Sequence, residues 1–124
     1  MDVVRLNNDV QMPLLGLGVF QITDQAACKE SVRTALETGY RLIDTAACYG
    51  NERAVGEAVK ESDIPRKEVF LTSKVWIQDV GYDKTMRSFD KTLENLQTDR
   101  GHSLILDISS LNEVYRLHNI RFAQ

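Results

Sequence analysis

Apolar positions along the chain change period several times, and each change marks an element. Between residues 24 and 38 they fall at Ala27 and Cys28, at Val32, and at Ala35 and Leu36. That three-to-four spacing is the stripe of an amphipathic helix, with Thr23 or Asp24 as its cap and Gly39 as its stop. "YRLIDTA" (40–46) follows as a buried strand. Asn51 stands where a second helix would be capped, and Ala54, Val55, Ala58 and Val59 form its stripe. "DIPRKE" breaks that helix, and "VFLTSKVW" (69–76) reads as another strand. Met86, Phe89, Leu93 and Leu96 share one side of a third helix over 82–97. "SLILDI" is a further strand, and Ser110 and Glu113 have the spacing of a capping box before a last helix carrying Leu111, Val114 and Tyr115. Ahead of all this, "VVRL" and "VQMPLL" flank the turn-rich trio "NND" and predict a hairpin. "GLGVF" (16–20) is a short apolar run whose glycines permit close approach.

After the hairpin, strand and helix alternate about four times. Apolar strands alternating with helices predict an α/β fold, a parallel sheet covered by helices. The pattern leaves two architectures open: an open doubly wound sheet, or part of a β/α barrel. "GLGVF" lacks the third glycine of a dinucleotide fingerprint and does not lead straight into a helix, and no P-loop is present.

Composition narrows the function classes. The 124 residues suit a single domain (1–124), and 43% hydrophobic with 27% charged residues is ordinary globular usage. A net charge of -3, with the two signs interspersed, points to no nucleic acid and no membrane surface as partner. Cys28 and Cys48 form no metal-binding spacing, so no metal is expected; both read as buried or half-buried free thiols. The first ten residues have no basic, apolar signal pattern, so a cytoplasmic location is the expectation.

In parallel β/α folds functional side chains gather at the carboxyl ends of strands. Three candidates fall there. Asp44 closes one strand, Tyr49 lies in the loop after it, and Lys74 closes the next strand. Neighbouring strands lie ~4.8 Å apart, so Asp44 and Lys74 could face one another with Tyr49 folded over them. An ammonium beside a phenol favours its ionised form, which suits a proton donor to a carbonyl oxygen. The same residues also fit a structural ion pair under a packing lid. Trp76, the sole tryptophan, fits either a pocket wall or a core cover.

"MPLLGLGVFQ", "ALETGYRLIDTAACYGNERAVGEAVKES", "EVFLTSKVW" and "DVGYDKTMRSFDKTLENLQTD" together resemble the aldo-keto reductase family, collinearly from about residue 3 to residue 99. The resemblance implies NADPH-dependent reduction of aldehydes and ketones on a β/α (TIM) barrel whose opening hairpin plugs its bottom. Of the family's four catalytic residues, three carry over: Tyr49 as general acid, Lys74 beside it, and Asp44 paired with the lysine. Gly18, Val19, Phe20 and Asp44 match positions beside the nicotinamide. Phe20 and Trp76 match the aromatic walls of the substrate site.

Past Asp99 the resemblance changes. Asp107 stands where the family's fourth strand carries its catalytic histidine, and His102 comes five residues too early, which on a strand is the opposite face. Residues 100–124 look more like the family's C-terminal tail. A closed barrel takes at least about 200 residues, so the expectation is a truncated barrel of about four β/α units. A homodimer that completes the barrel is one consequence. A catalytically inactive α/β domain that only folds or self-associates is the alternative.

Overall fold

The computed structural model describes residues 1–79 and 81–99, and the backbone of 104–107. Strands β1 (Val3–Arg5) and β2 (Gln11–Pro13) pair antiparallel, Val4 opposite Met12. The trio "NND" turns the chain as expected. Asp9 adopts a left-handed φ of 68°, a conformation acidic and amide residues tolerate, and its N–H donates to the Leu6 carbonyl at 3.0 Å.

The main sheet holds β3 (Leu17–Gly18), β4 (Leu42–Asp44), β5 (Phe70–Lys74) and β6 (Leu104–Asp107), all parallel and in sequential order. Helices α1 (Gln25–Glu37), α2 (Glu52–Glu61) and α3 (Tyr82–Leu96) make the three crossovers. A doubly wound sheet reverses its strand order at a switch point. The described sheet does not, and each crossover moves one strand onward. Of the two architectures left open by the pattern, this is the winding of a barrel wall. Within "SLILDI", Leu104–Asp107 form the strand β6; the proposed capping box, the last helix and both histidines lie outside the described residues.

Helix α1 begins where Asp24 accepts a hydrogen bond from the Ala27 N–H at 2.7 Å, and ends at Gly39, whose φ of 105° only glycine adopts readily. Its stripe Cys28, Val32, Ala35 and Leu36 is buried against α2 and the sheet, whose Ile43 and Leu71 have no exposed surface. Ala54, Val55, Ala58 and Val59 of α2 complete this core, as their spacing predicts. On α3 the stripe is shallower: Leu96 and Thr92 are buried, while Met86, Phe89 and Leu93 are half-buried. Cys28 is buried, and desolvation pushes its thiol pKa up; Cys48 is exposed, contrary to expectation, because it rides on a surface turn. Among the described residues no helix is long and apolar enough to cross a membrane.

The hairpin lies at the amino ends of the main strands. Val3, Gln11 and Pro13 line a cleft with Arg41 and Phe70, the residues that lead into β4 and open β5. The carboxyl ends of β3, β4 and β5 are left clear of it.

Helices α2 and α3 touch at backbone distance. A Cβ on Gly56 would sit 2.6 Å from the Asn95 carbonyl oxygen and 2.7 Å from the Leu96 Cα. In an open helix Gly→Ala gains about 0.8–1.0 kcal/mol from propensity. Here the clash is with backbone, which cannot swing aside. We therefore expect Gly56→Ala to destabilise the chain by about 1–3 kcal/mol. A lower denaturant midpoint would be the signature; an unchanged or higher midpoint would show that α3 shifts freely.

Candidate active site

The carboxyl ends of β4 and β5 converge on one side chain, Asp44, and β3 meets the same residue through its backbone. Along β5, Leu71 and Ser73 are fully buried toward the helices, while Thr72 and Lys74 are half-buried on the other face. Strand alternation thus puts Thr72, Lys74 and Asp44 on a common surface. Lys74 Nζ donates to both Asp44 carboxylate oxygens, each at 2.8 Å, and to the Thr45 carbonyl at 3.1 Å. Those three bonds use every donor of the ammonium. The Thr72 hydroxyl donates to Asp44 Oδ1 as well.

The ion pair is diagonal. Register sets Asp44 opposite Thr72 and Gly18 opposite Asp44, so Lys74 lies two residues beyond its partner and reaches back to it. Sequence spacing alone suggested a pair facing directly across. The difference follows from the two strands ending at different heights. On the far side, β6 brings the Asp107 backbone into register with Lys74, at the position where the resemblance led one to look for a histidine. His102 lies outside the described residues.

Tyr49 closes a short 3-10 turn (Ala47–Tyr49) that follows β4. Gly50 has a left-handed φ of 68° and redirects the chain into α2. Gln25 of α1 holds that corner by donating to the Gly50 carbonyl at 3.0 Å. The Tyr49 ring is half-buried against the core, and the Lys74 ammonium lies 5.6 Å from its centroid. This is cation–π range. The lysine therefore addresses the ring through space while its hydrogen bonds go to Asp44 and Thr45. Phe20 covers the other flank, with ring centroids 5.2 Å apart and a 48° tilt.

The remaining sequence candidates, in the turn after β3 and just past β5, are presented unequally. Gly18 opens onto free space: a Cβ there would meet nothing within 4 Å. Phe20 is 64% exposed and Trp76 38% exposed. Val19 points the other way. Its side chain is fully buried, its N–H donates to the Asp44 carbonyl at 3.1 Å, and its own carbonyl accepts from Asn51 at 3.0 Å. Val19 supports the turn from beneath, and the face above it belongs to Gly18 and Phe20. The described residues contain no group of three or more His, Cys, Asp and Glu side chains able to hold a metal.

Two participants escaped the sequence reading. Thr72 could have been found, because it stands two before Lys74 on a strand and so shares its face. Asn51 was read as a helix cap and makes no capping bond. Its amide instead donates to the Val19 and Ile22 carbonyls at 3.0 and 3.1 Å and accepts from the Thr45 hydroxyl at 2.8 Å. Nothing in local spacing signals those distant partners.

Residues 14–114 match the model of the Aldo/keto reductase family, a span that contains every site residue named above and runs on through β6. The glyoxal reductase of Bacillus subtilis (strain 168) is 52% identical over 98 residues, covering 79% of this chain and 36% of that protein. The 9,11-endoperoxide prostaglandin H2 reductase of Trypanosoma cruzi (strain CL Brener) is 52% identical over 93 residues, covering 75% of this chain and 33% of that one. A crystal structure of an aldo/keto reductase from Brucella melitensis superposes with a TM-score of 0.76 at 45% identity, over 79% of this chain and 38% of that chain. The chain thus spans about a third of the length of the curated relatives it matches. Strand order, the grouping of Asp44, Tyr49 and Lys74 at the strand ends, and the collinear identity across them lead to one assignment: this chain belongs to the aldo/keto reductase family.

Proposed function

We propose that this chain carries the proton-delivering half of an NADPH-dependent reductase of small aldehydes and ketones, with Tyr49 as the general acid. One observation carries the reading: Lys74, held by both oxygens of Asp44, sits 5.6 Å from the Tyr49 ring at the carboxyl ends of parallel strands. In this reading the sheet is the first wall of a β/α barrel of about four units.

The chemistry divides between protein and cofactor. A nicotinamide cofactor held beside Gly18, Phe20 and Asp44 would supply the hydride for the carbonyl carbon when bound. The electron pair displaced onto the carbonyl oxygen takes the Tyr49 hydroxyl proton, giving the alcohol. The negative charge then left on the phenol is stabilised through space by the Lys74 ammonium, 5.6 Å from the ring centroid. Asp44 keeps that ammonium in place and Thr72 keeps Asp44 turned toward it. Water returns the proton to Tyr49 between turnovers.

The residues present fit a flat nicotinamide ring. Gly18 leaves open space beside the Asp44 strand end, with exposed Phe20 next to it; in this reading Phe20 and exposed Trp76 wall the substrate site. For substrates, relatives named glyoxal reductase and methylglyoxal reductase suggest small 2-oxoaldehydes. NADPH consumption by the purified chain with methylglyoxal tests the proposal. Aldehyde-dependent oxidation of NADPH is the expected result. Failure across a panel of aldehydes, with NADPH bound, would remove it in favour of a non-catalytic domain.

A further inference from the structure

We infer that Asn51 is a positioning residue, fixing the acid-bearing Tyr49 loop to the strand end that holds Lys74 and to the turn that carries Phe20. The inference deepens the reductase reading and rests on it for its catalytic meaning.

Asn51 has no exposed surface, and its side chain is spent entirely on tertiary bonds. The two donor bonds grip the two ends of one turn. Val19 and Ile22 are themselves joined by the Ile22 N–H to Val19 carbonyl bond at 3.2 Å, and Gln21 inside that turn has a φ of 64°. The turn displays Phe20, whose ring lies against Tyr49. The acceptor bond reaches Thr45, whose carbonyl is the third ligand of the Lys74 ammonium. One amide, two residues after Tyr49, therefore joins all three pieces of the site.

Only an amide satisfies this arrangement. It offers two N–H donors and a carbonyl acceptor in one plane. A carboxylate of the same size offers no donor and would set a negative oxygen against two carbonyls. A cap would have tolerated that exchange, since Asp and Asn serve equally at helix N-termini. Glu52 moors the next residue independently, accepting from the Ser73 hydroxyl at 2.7 Å, on the helix-facing side of β5. Loss of Asn51 should thus free the turn and the acid while α2 stays docked.

The test uses the full chain labelled with 3-fluorotyrosine. Tyr49→Phe assigns the Tyr49 fluorine resonance, and Phe20→Leu reports the ring contact. Asn51→Asp is expected to move the Tyr49 resonance as Phe20→Leu does. It should lower kcat about 10²-fold, the scale of a misplaced reacting group, with KM for NADPH changed by less than about threefold. A folded Asn51→Asp chain with wild-type resonance and kcat would overturn the inference. If that variant fails to fold, Thr45→Val and Thr45→Ser decide. Val keeps the shape and loses the donor to Asn51, while Ser keeps the donor. The inference expects Thr45→Val to shift the resonance and Thr45→Ser to restore it; identical behaviour of the two would overturn it. The resonance needs no turnover, so a wild-type chain inactive toward carbonyls would sink the reductase reading and leave the positioning of Tyr49 to be decided by the spectrum.

Discussion

Tyr49→Phe is expected to lower carbonyl reduction by about 10²–10⁴-fold, the range a general acid contributes, and to leave NADPH affinity unchanged. The exchange removes one oxygen and keeps the ring. Packing against Phe20 at 5.2 Å and the Lys74 contact at 5.6 Å both depend on the ring, so the loop should stay in place. A loss of kcat without loss of fold or cofactor binding is then attributable to the proton. Steady-state rates, a nucleotide titration and a thermal melt on the same preparation measure all three. A rate within a few-fold of wild type would mean that another group or water protonates the product, and Tyr49 would be a lid.

Lys74→Met should reduce turnover by about 10²–10³-fold, comparable to removing one donor that stabilises developing charge. Its effect on stability should be small. Asp44 is 41% exposed and Lys74 18%, so the abandoned carboxylate remains hydrated, and it keeps the Thr72 hydroxyl. For a partly exposed pair the loss is about 1 kcal/mol or less. The account therefore predicts a split: a large fall in rate with a nearly unchanged melt. The opposite split, a large fall in stability with rate retained, would identify Asp44–Lys74 as a structural bridge.

How far the sequence alone reached depends on the range of the interaction concerned. The α1 stripe, the "NND" turn, and Asp44 and Lys74 at strand ends all follow from period and from local backbone preference. Each of these is settled within a few residues of chain. Choosing between a doubly wound sheet and a barrel wall required the strand order, which is a long-range property. Asn51 holds the N-cap position of α2 as its spacing predicts, but where its side chain bonds was illegible for the same reason. Its position after Gly50 has every local mark of a cap, yet three partners between 6 and 32 residues away outcompete the helix N-terminus for its amide. Val19 is similar. The spacing around it gave no sign that its side chain is fully buried or that its carbonyl accepts from Asn51. Register explains the rest: Lys74 reaches Asp44 diagonally because Thr72, not Lys74, is its cross-strand neighbour.

The central claim is that Gly18, Phe20, Asp44, Tyr49 and Lys74 together form a working reductase end. Titration of the purified chain with NADPH, followed by nucleotide fluorescence, tests it most directly because it does not depend on guessing the aldehyde. The account predicts saturable binding in the micromolar range, retained in Tyr49→Phe. No binding at millimolar nucleotide would contradict it, and Asp44, Tyr49 and Lys74 would then stand as an ion pair beneath a packed aromatic ring.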